Sequence, residues 1–126
     1  MAVAEQGWDL RVTGLTMSFT SRRSGTIHVL DGVDLALEDG TFCCIVGPSG
    51  CGKSTMLRIV DGLVKPDAGQ VHIGGELVRG PDLSRGFVFQ QFNLLPWRTV
   101  LGNVEFGLEN LGIGKQARRD RARHWV

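Results

Sequence analysis

Tyrosine is absent from this sequence and cysteine is scarce. The three cysteines, Cys43, Cys44 and Cys51, form no C-x-x-C pair, which argues against both a zinc site and a disulfide framework. No apolar stretch is long enough to span a bilayer. Residues 1–7 have neither a basic start nor a long apolar run, so no signal peptide is expected. A reducing, cytoplasmic setting follows. Charge of one sign is also lacking. The net charge is +1, so the chain as a whole does not advertise nucleic-acid binding. From Lys115 onward there are five basic residues and one acid, but no interleaved aromatic platform, so this run reads as a solvated helix face. His28, His72 and His124 are scattered and no metal-ligand spacing links them. There is no internal repeat and no low-complexity tract. With 126 residues and 42% apolar content, the chain is one small globular domain or part of a larger one.

What is abundant is glycine, and its placement matters. Gly47, Pro48, Ser49, Gly50, Cys51, Gly52, Lys53, Ser54 and Thr55 fit G-x-x-x-x-G-K-[ST], the phosphate-binding loop. Glycines let successive backbone N–H groups turn inward without a Cβ clash, which makes a concave nest for an anion. A helix N-terminus following the loop adds unpaired N–H groups and a positive dipole end. Lys53 can reach the β- and γ-phosphates of a nucleotide. Ser54 can place its hydroxyl on Mg²⁺, and Thr55 can bond the α-phosphate. Such a loop must follow a buried strand and open a helix. Residues 41–46 are short, almost continuously apolar and bounded by glycines, which predicts a parallel strand buried on both faces, with Cys43 and Cys44 packed inside it. Met56, Leu57, Val60 and Leu63 recur at helical spacing, with Gly62 as a stop.

Elsewhere the pattern predicts a strand over residues 10–19 and a polar loop over residues 20–26. Residues 27–30 lead to an Asp31-Gly32 turn, and a second alternating strand covers residues 33–37. Gly74-Gly75 separates two short alternating runs, a hairpin signal. Residues 86–89 read as a short strand ending at Gln90. Residues 92–97 are apolar and interrupted by Pro96. Thr99 can cap a helix carrying Val100, Val104, Leu108 and Leu111 on one face, despite Gly102 and Gly107. Gly112, Ile113 and Gly114 separate it from a last helical stretch. Two alternating strands ahead of a buried one suggest an antiparallel edge on a parallel core.

Taken together these segments resemble the nucleotide-binding subunit of an ATP-binding cassette (ABC) transporter. Residues 29–35 resemble the family's second strand, residues 47–55 its phosphate loop, and residues 69–75 its following hairpin. Val88, Phe89 and Gln90 resemble its glutamine loop. Leu94, Leu95, Pro96, Trp97, Arg98, Thr99 and Val100, with Asn103 and Val104, are similar to the subgroup that powers bacterial import of nitrate, sulfonate or taurine. The resemblance implies an α/β fold: a P-loop NTPase core with a parallel sheet, an antiparallel β edge and part of a helical subdomain. Residues 1–90 would be the nucleotide-binding core and residues 91–126 the start of the helical subdomain. ATP and Mg²⁺ are the implied cofactors. Lys53 and Gln90 would be the catalytic residues here, and Ser54 and Gln90 would meet the metal. An aromatic ring stacks on adenine upstream of the loop in this family. With no tyrosine present, Phe19 occupies the matching place, or it is simply a core residue; Trp8 is a weaker candidate. Residues 92–97 would border the groove that receives a helix of the transmembrane permease subunit, or would pack the helical subdomain. A second ATP-binding subunit completes the family's dimer and a solute-binding protein acts indirectly. The implied location is the inner face of the bacterial cell membrane, as a peripheral cytoplasmic subunit.

The family pattern continues with a Leu-Ser-Gly-Gly-Gln signature, an apolar strand ending in Asp-Glu and a switch histidine. None of these occurs in the 126 residues. The resemblance therefore covers about the first half of such a subunit. Phosphoryl transfer needs a positioned water and stabilised charge beyond a phosphate cradle, so this stretch alone is expected not to turn over ATP. The unpaired edge beside the phosphate-loop strand predicts exposed apolar surface and marginal stability. Two other readings fit the same motif: a truncated, noncatalytic nucleotide-binding or docking module, and a soluble ABC ATPase of DNA repair or translation.

Overall fold

The computed structural model describes residues 8–21 and 25–126, and side chains from Leu10 onward within them. The chain divides into two compact units, Met1–Asp82 and Leu83–Val126. In the first, β1 (Trp8–Ser21), β2 (Gly25–Glu38), β3 (Ala68–Ile73) and β4 (Glu76–Leu77) form an antiparallel sheet in the order β2-β1-β3-β4. Helix α1 (Lys53–Val60) packs on one face. The core joins Val12, Leu15 and Met17 of β1, Leu30 of β2, Val71 of β3, and Met56 and Ile59 of α1.

A flat strand could not place those residues together. Val12 and Leu15 are an odd number of positions apart, so an unbroken pleat would put them on opposite faces. The register shifts between Val12 and Leu15, where Gly14 takes φ +57°. That extra residue is a β-bulge, and it returns Leu15 to the buried face. On β2 the same device operates between Leu30 and Val33, where Gly32 takes φ +61°. The two bulges are pinned reciprocally. Gly14 N–H donates to Asp34 Oδ1 at 2.7 Å, and Gly32 N–H donates to Thr16 Oγ1 at 3.2 Å. Asp31-Gly32 is therefore not the turn expected from sequence; β2 runs through it. β1 likewise extends beyond residue 19 to Ser21, and residues 22–24 of the expected loop lie outside the described residues.

The Gly74-Gly75 hairpin forms as read. Both glycines are left-handed, at φ +57° and +81°, and His72 pairs with Leu77 across them. Helix α1 ends where Gly62 adopts φ +81°. Gly62 N–H bonds Ile59 O at 3.0 Å and Leu63 N–H bonds Arg58 O at 2.8 Å, a Schellman closure. The buried face of α1 is Met56 and Ile59; Leu57, expected on that face, is 48% exposed.

The segments expected as central strands differ most. Residues 41–46 join no ladder, and Phe42 and Val46 are 94% and 83% exposed. Cys43 and Cys44 are exposed rather than packed inside. Residues 86–89 also form no strand, and Val88 is 95% exposed. The physical reason is common to both. A parallel strand needs neighbours brought by crossovers on either side, and no parallel ladder exists among the described residues. The antiparallel arm has local partners and forms without them.

The second unit holds α2 (Val100–Asn110) and α3 (Lys115–Arg123). Thr99 caps α2 as expected, accepting from Gly102 N–H at 3.1 Å. Gly112 (φ +72°) closes α2 through Gly112 N–H to Glu109 O and Ile113 N–H to Leu108 O. Ala122 of α3 is fully buried, and Arg118 of α3 meets Glu105 of α2 at 3.4 Å. The expected apolar face of α2 is only partly covered: Val100 and Leu111 are 68% and 56% exposed.

Candidate functional site: the phosphate loop

The loop of residues 47–52 leads directly into α1 at Lys53, so the motif sits at a helix N-terminus as the sequence demands. Gly50 and Gly52 take φ +82° and +97°, the left-handed values that turn backbone N–H groups to one side. Cys51 N–H bonds back to Pro48 O at 3.4 Å, and Met56 N–H to Gly52 O at 2.8 Å. The first turn of α1 has no side-chain cap and no carboxylate of its own, which is the electrostatic setting an incoming phosphate requires.

Lys53 closes the loop. Its Nζ donates to Gly47 O at 2.8 Å and Pro48 O at 2.6 Å, and lies 3.5 Å from Cys51 Sγ. Three donors find three acceptors, all inside the loop. The ammonium is held against the start of the loop at no cost in unpaired hydrogen bonds. A phosphate oxygen can replace a neutral carbonyl there with a stronger, charge-assisted partner. Ser54 is exposed and Thr55 half-buried on the first turn, with their hydroxyls on the loop's own helix. Ser49 is exposed on the loop. The donor set fits a polyphosphate, and Ser54 fits a hard cation that prefers oxygen.

The loop rests against β2, a contact that the sequence reading missed. A Cβ at Gly52 would lie 2.8 Å from Val29 O and 2.9 Å from Leu30 Cδ2. Leu30 pairs with Met17 across the sheet, and Phe19 pairs with Ile27 two positions further along β1. Phe19 shares the face of Leu15 and Met17 by pleat parity. It is 47% exposed. The Trp8 side chain lies outside the described residues.

Gln90 belongs to the second unit. It lies in a bend, exposed, directly after the Phe87–Phe89 edge-to-face pair with ring centroids 4.7 Å apart. Of the apolar residues that follow, Phe92, Leu94 and Trp97 are 99%, 66% and 77% exposed. Among the described residues there is no cluster of three or more potential metal-ligating side chains, and no helix is long and apolar enough to cross a membrane.

A loop of this geometry on an antiparallel arm defines a nucleotide-binding cassette. Residues 30–126 match the family model of the ABC transporter, and the chain belongs to that family as the amino-terminal portion of an ATP-binding subunit. It is 42% identical over 117 residues to the nitrate import ATP-binding protein NrtD of Synechocystis, covering 93% of this chain and 44% of that protein. It is 39% identical over 108 residues to the aliphatic sulfonates import ATP-binding protein SsuB of Bacillus thuringiensis subsp. konkukian, covering 86% and 42%. Among solved structures it resembles the ATP-binding cassette MJ0796, seen as a dimer bound to ADP and Pi. The TM-score is 0.82 and the identity 37%, over 91% of this chain and 54% of that one. The chain thus spans about half the length of the relatives it matches. The α/β class expected from sequence is that of these cassettes.

Proposed function

We propose that this chain is the phosphate-gripping part of an ATP-binding subunit that drives solute import. Residues 1–90 act as the nucleotide-binding core and residues 91–126 begin the helical subdomain. Residues 47–55 hold the ATP phosphates, Phe19 stacks on adenine, and Ser54 and Gln90 each offer an oxygen that suits Mg²⁺. Gln90 also links the nucleotide state to the membrane partner. The exposed apolar residues 92–97 meet a helix of a transmembrane permease subunit on the inner face of the membrane. A second ATP-binding subunit completes the assembly, a reading supported by the dimeric state of the similar MJ0796 cassette. The nitrate and sulfonate relatives favour small anionic solutes, which other subunits select.

The observation that carries this reading is the Lys53 ammonium poised over the loop between Gly47 O and Pro48 O. When ATP is bound, Mg²⁺ supplies charge neutralisation at the β- and γ-phosphates. The chain's own contributions are distinct from it. The amide nest orients the phosphates, Lys53 adds a mobile cation, and the helix N-terminus supplies fixed dipoles. The Asp-Glu strand and the signature motif are not in these residues, so nucleotide is held without multiple turnover. The test is equilibrium binding of a fluorescent ATP analogue to the chain and to Lys53→Ala. Losing one charge-assisted contact costs about 1.5–3 kcal/mol, so affinity falls roughly tenfold to a hundredfold. Equal affinity of the two proteins, or Lys53-dependent steady-state hydrolysis, would overturn the respective part of the proposal.

A further inference from the structure

One densely bonded polar side chain of the second unit is not one that the nucleotide chemistry uses. Asn103, in the first turn of α2, turns its amide back onto the preceding loop. Its Oδ1 accepts Leu95 N–H at 2.7 Å. The two N–H groups of its Nδ2 reach three acceptors, Thr99 O at 2.9 Å, Leu95 O at 3.2 Å and Arg98 O at 3.3 Å, so one hydrogen is shared. The orientation of the amide is fixed by chemistry, because an N–H can only donate and carbonyls can only accept. Between the two clamped ends lies a single turn. Arg98 N–H bonds Leu95 O at 3.0 Å, with Pro96 and Trp97 at its centre. Proline at the second position pre-sets the turn's φ. The far end is bolted down again. Arg98 Nη1 reaches Glu109 Oε2 at 2.7 Å, and its guanidinium lies 5.0 Å from the Phe106 ring centroid. At the apex, Trp97 is 77% exposed.

An exposed tryptophan on a floppy loop loses affinity to the ordering of the loop. One on a preformed mount does not. We propose that Asn103 is a positioning residue whose amide locks the Leu95–Arg98 turn as a rigid mount for Trp97. The pose of Trp97 toward the permease helix is thereby set before docking. This rests on the docking role given above to residues 92–97. The inference goes further in assigning the coupling geometry to a residue that need not touch the partner.

Chemistry separates a clamp from a space-filler. Asp is nearly isosteric with Asn, but replaces the donating NH₂ with an oxygen facing three carbonyls. A packing residue would tolerate Asn103→Asp; a clamp would fail with it as it fails with Asn103→Ala. The experiment measures amide hydrogen exchange of Arg98, whose N–H closes the turn on Leu95 O without touching Asn103, in the full chain, with the Leu111 amide at the end of α2 as the folding control. It also measures co-purification with a co-expressed permease subunit. Both Asn103 variants are expected to speed Arg98 exchange about tenfold or more while Leu111 protection persists, and to weaken association together with Trp97→Ala. Trp97→Ala itself is expected to leave Arg98 exchange unchanged. Unchanged Arg98 exchange in Asn103→Asp overturns the clamp, and this variant decides if Asn103→Ala unfolds α2. Association weakened by Trp97→Ala but not by either Asn103 variant overturns the positioning role and leaves docking intact. Rapid Arg98 exchange with association unaffected by Trp97→Ala overturns the docking role.

Discussion

The three loop glycines make different demands, and a substitution series to alanine distinguishes them. Gly52 has φ +97°, and an added Cβ would stand 2.8 Å from Val29 O, 2.9 Å from Leu30 Cδ2 and 3.0 Å from Val29 Cγ1. The left-handed backbone costs a non-glycine residue about 1–2 kcal/mol. The clash involves the β2 backbone and its core-facing side chain, so it cannot be relieved by a flexible tip; overpacking of that kind costs about 1–3 kcal/mol. The sum, roughly 2–5 kcal/mol, is a large part of the ~5–15 kcal/mol that holds an ordinary domain. Gly50 shares the backbone cost at φ +82° but has nothing within 4 Å. Gly50→Ala should therefore cost only about 1–2 kcal/mol. Gly47 is not left-handed, and its Cβ would meet only Cys51 Sγ, at 2.8 Å. Rotating that side chain costs about 0.5–1.5 kcal/mol. The expected order of destabilisation is Gly52→Ala, then Gly50→Ala, then Gly47→Ala. Urea unfolding followed by circular dichroism reads it directly, and a melting scan should separate the first from the last by roughly 4 °C or more. If Gly47→Ala is as destabilising as Gly52→Ala, the contact between loop and β2 does not hold the loop in place.

Three other outcomes follow from single contacts. Thr99→Ala removes the α2 cap and should cost about 1 kcal/mol, largely restored by Ser; amide protection across the first turn of α2 checks it. The Arg98 hydrogen bond, then its charge, hold the Glu109 carboxyl below its ordinary value of 4.5, with Arg118 adding to the effect and burial opposing it. A lowered folded-state pKa means stability present above about 4.5 and lost as pH falls through the folded value. The α2 melting temperature should drop on acidification in the wild type, and that acid-dependent drop should shrink in Glu109→Gln. Phe19→Ala should weaken binding of an adenine nucleotide more than binding of inorganic triphosphate, since stacking acts on the base alone. Equal losses for both, measured by titration calorimetry, would assign Phe19 to the core instead.

Local chemistry was legible in the sequence, and features that depend on distant chain were not. The helix start at Lys53, the Gly74-Gly75 hairpin, the Gly62 stop and the Thr99 cap each depend on a few adjacent residues, and each is where the pattern put it. The strand over residues 41–46 was read from apolarity, which reports a preference for burial and says nothing of the neighbours that provide it. With no parallel ladder among the described residues, Phe42 and Val46 stay exposed. The Asp31-Gly32 pair was misread for a different reason. A left-handed glycine after an aspartate serves a turn and a bulge equally well, and only the partner strand's register decides. Asn103 entered the sequence reading only through the resemblance, and its amide network was not read, since an asparagine in a first helical turn does not by itself say which carbonyls it meets.

These two kinds of misreading meet at the phosphate loop. The sequence suggested that the loop hangs from the strand before it. In the described residues the close backing belongs to β2 instead, through Val29 and Leu30 against Gly52. Leu30 reaches the core because the bulge at Gly32 resets the pleat, and Gly32 is held by Thr16, just as Gly14 is held by Asp34. The antiparallel arm therefore gives the loop a foundation built entirely from local pairing. It backs the loop at Gly52, while the Lys53 ammonium is held by the loop's own carbonyls at Gly47 and Pro48. Under the proposed function, binding and turnover draw on different parts of the cassette: the loop and its β2 backing lie within the segment that folds around β1, and the parts that turnover needs are not among these residues.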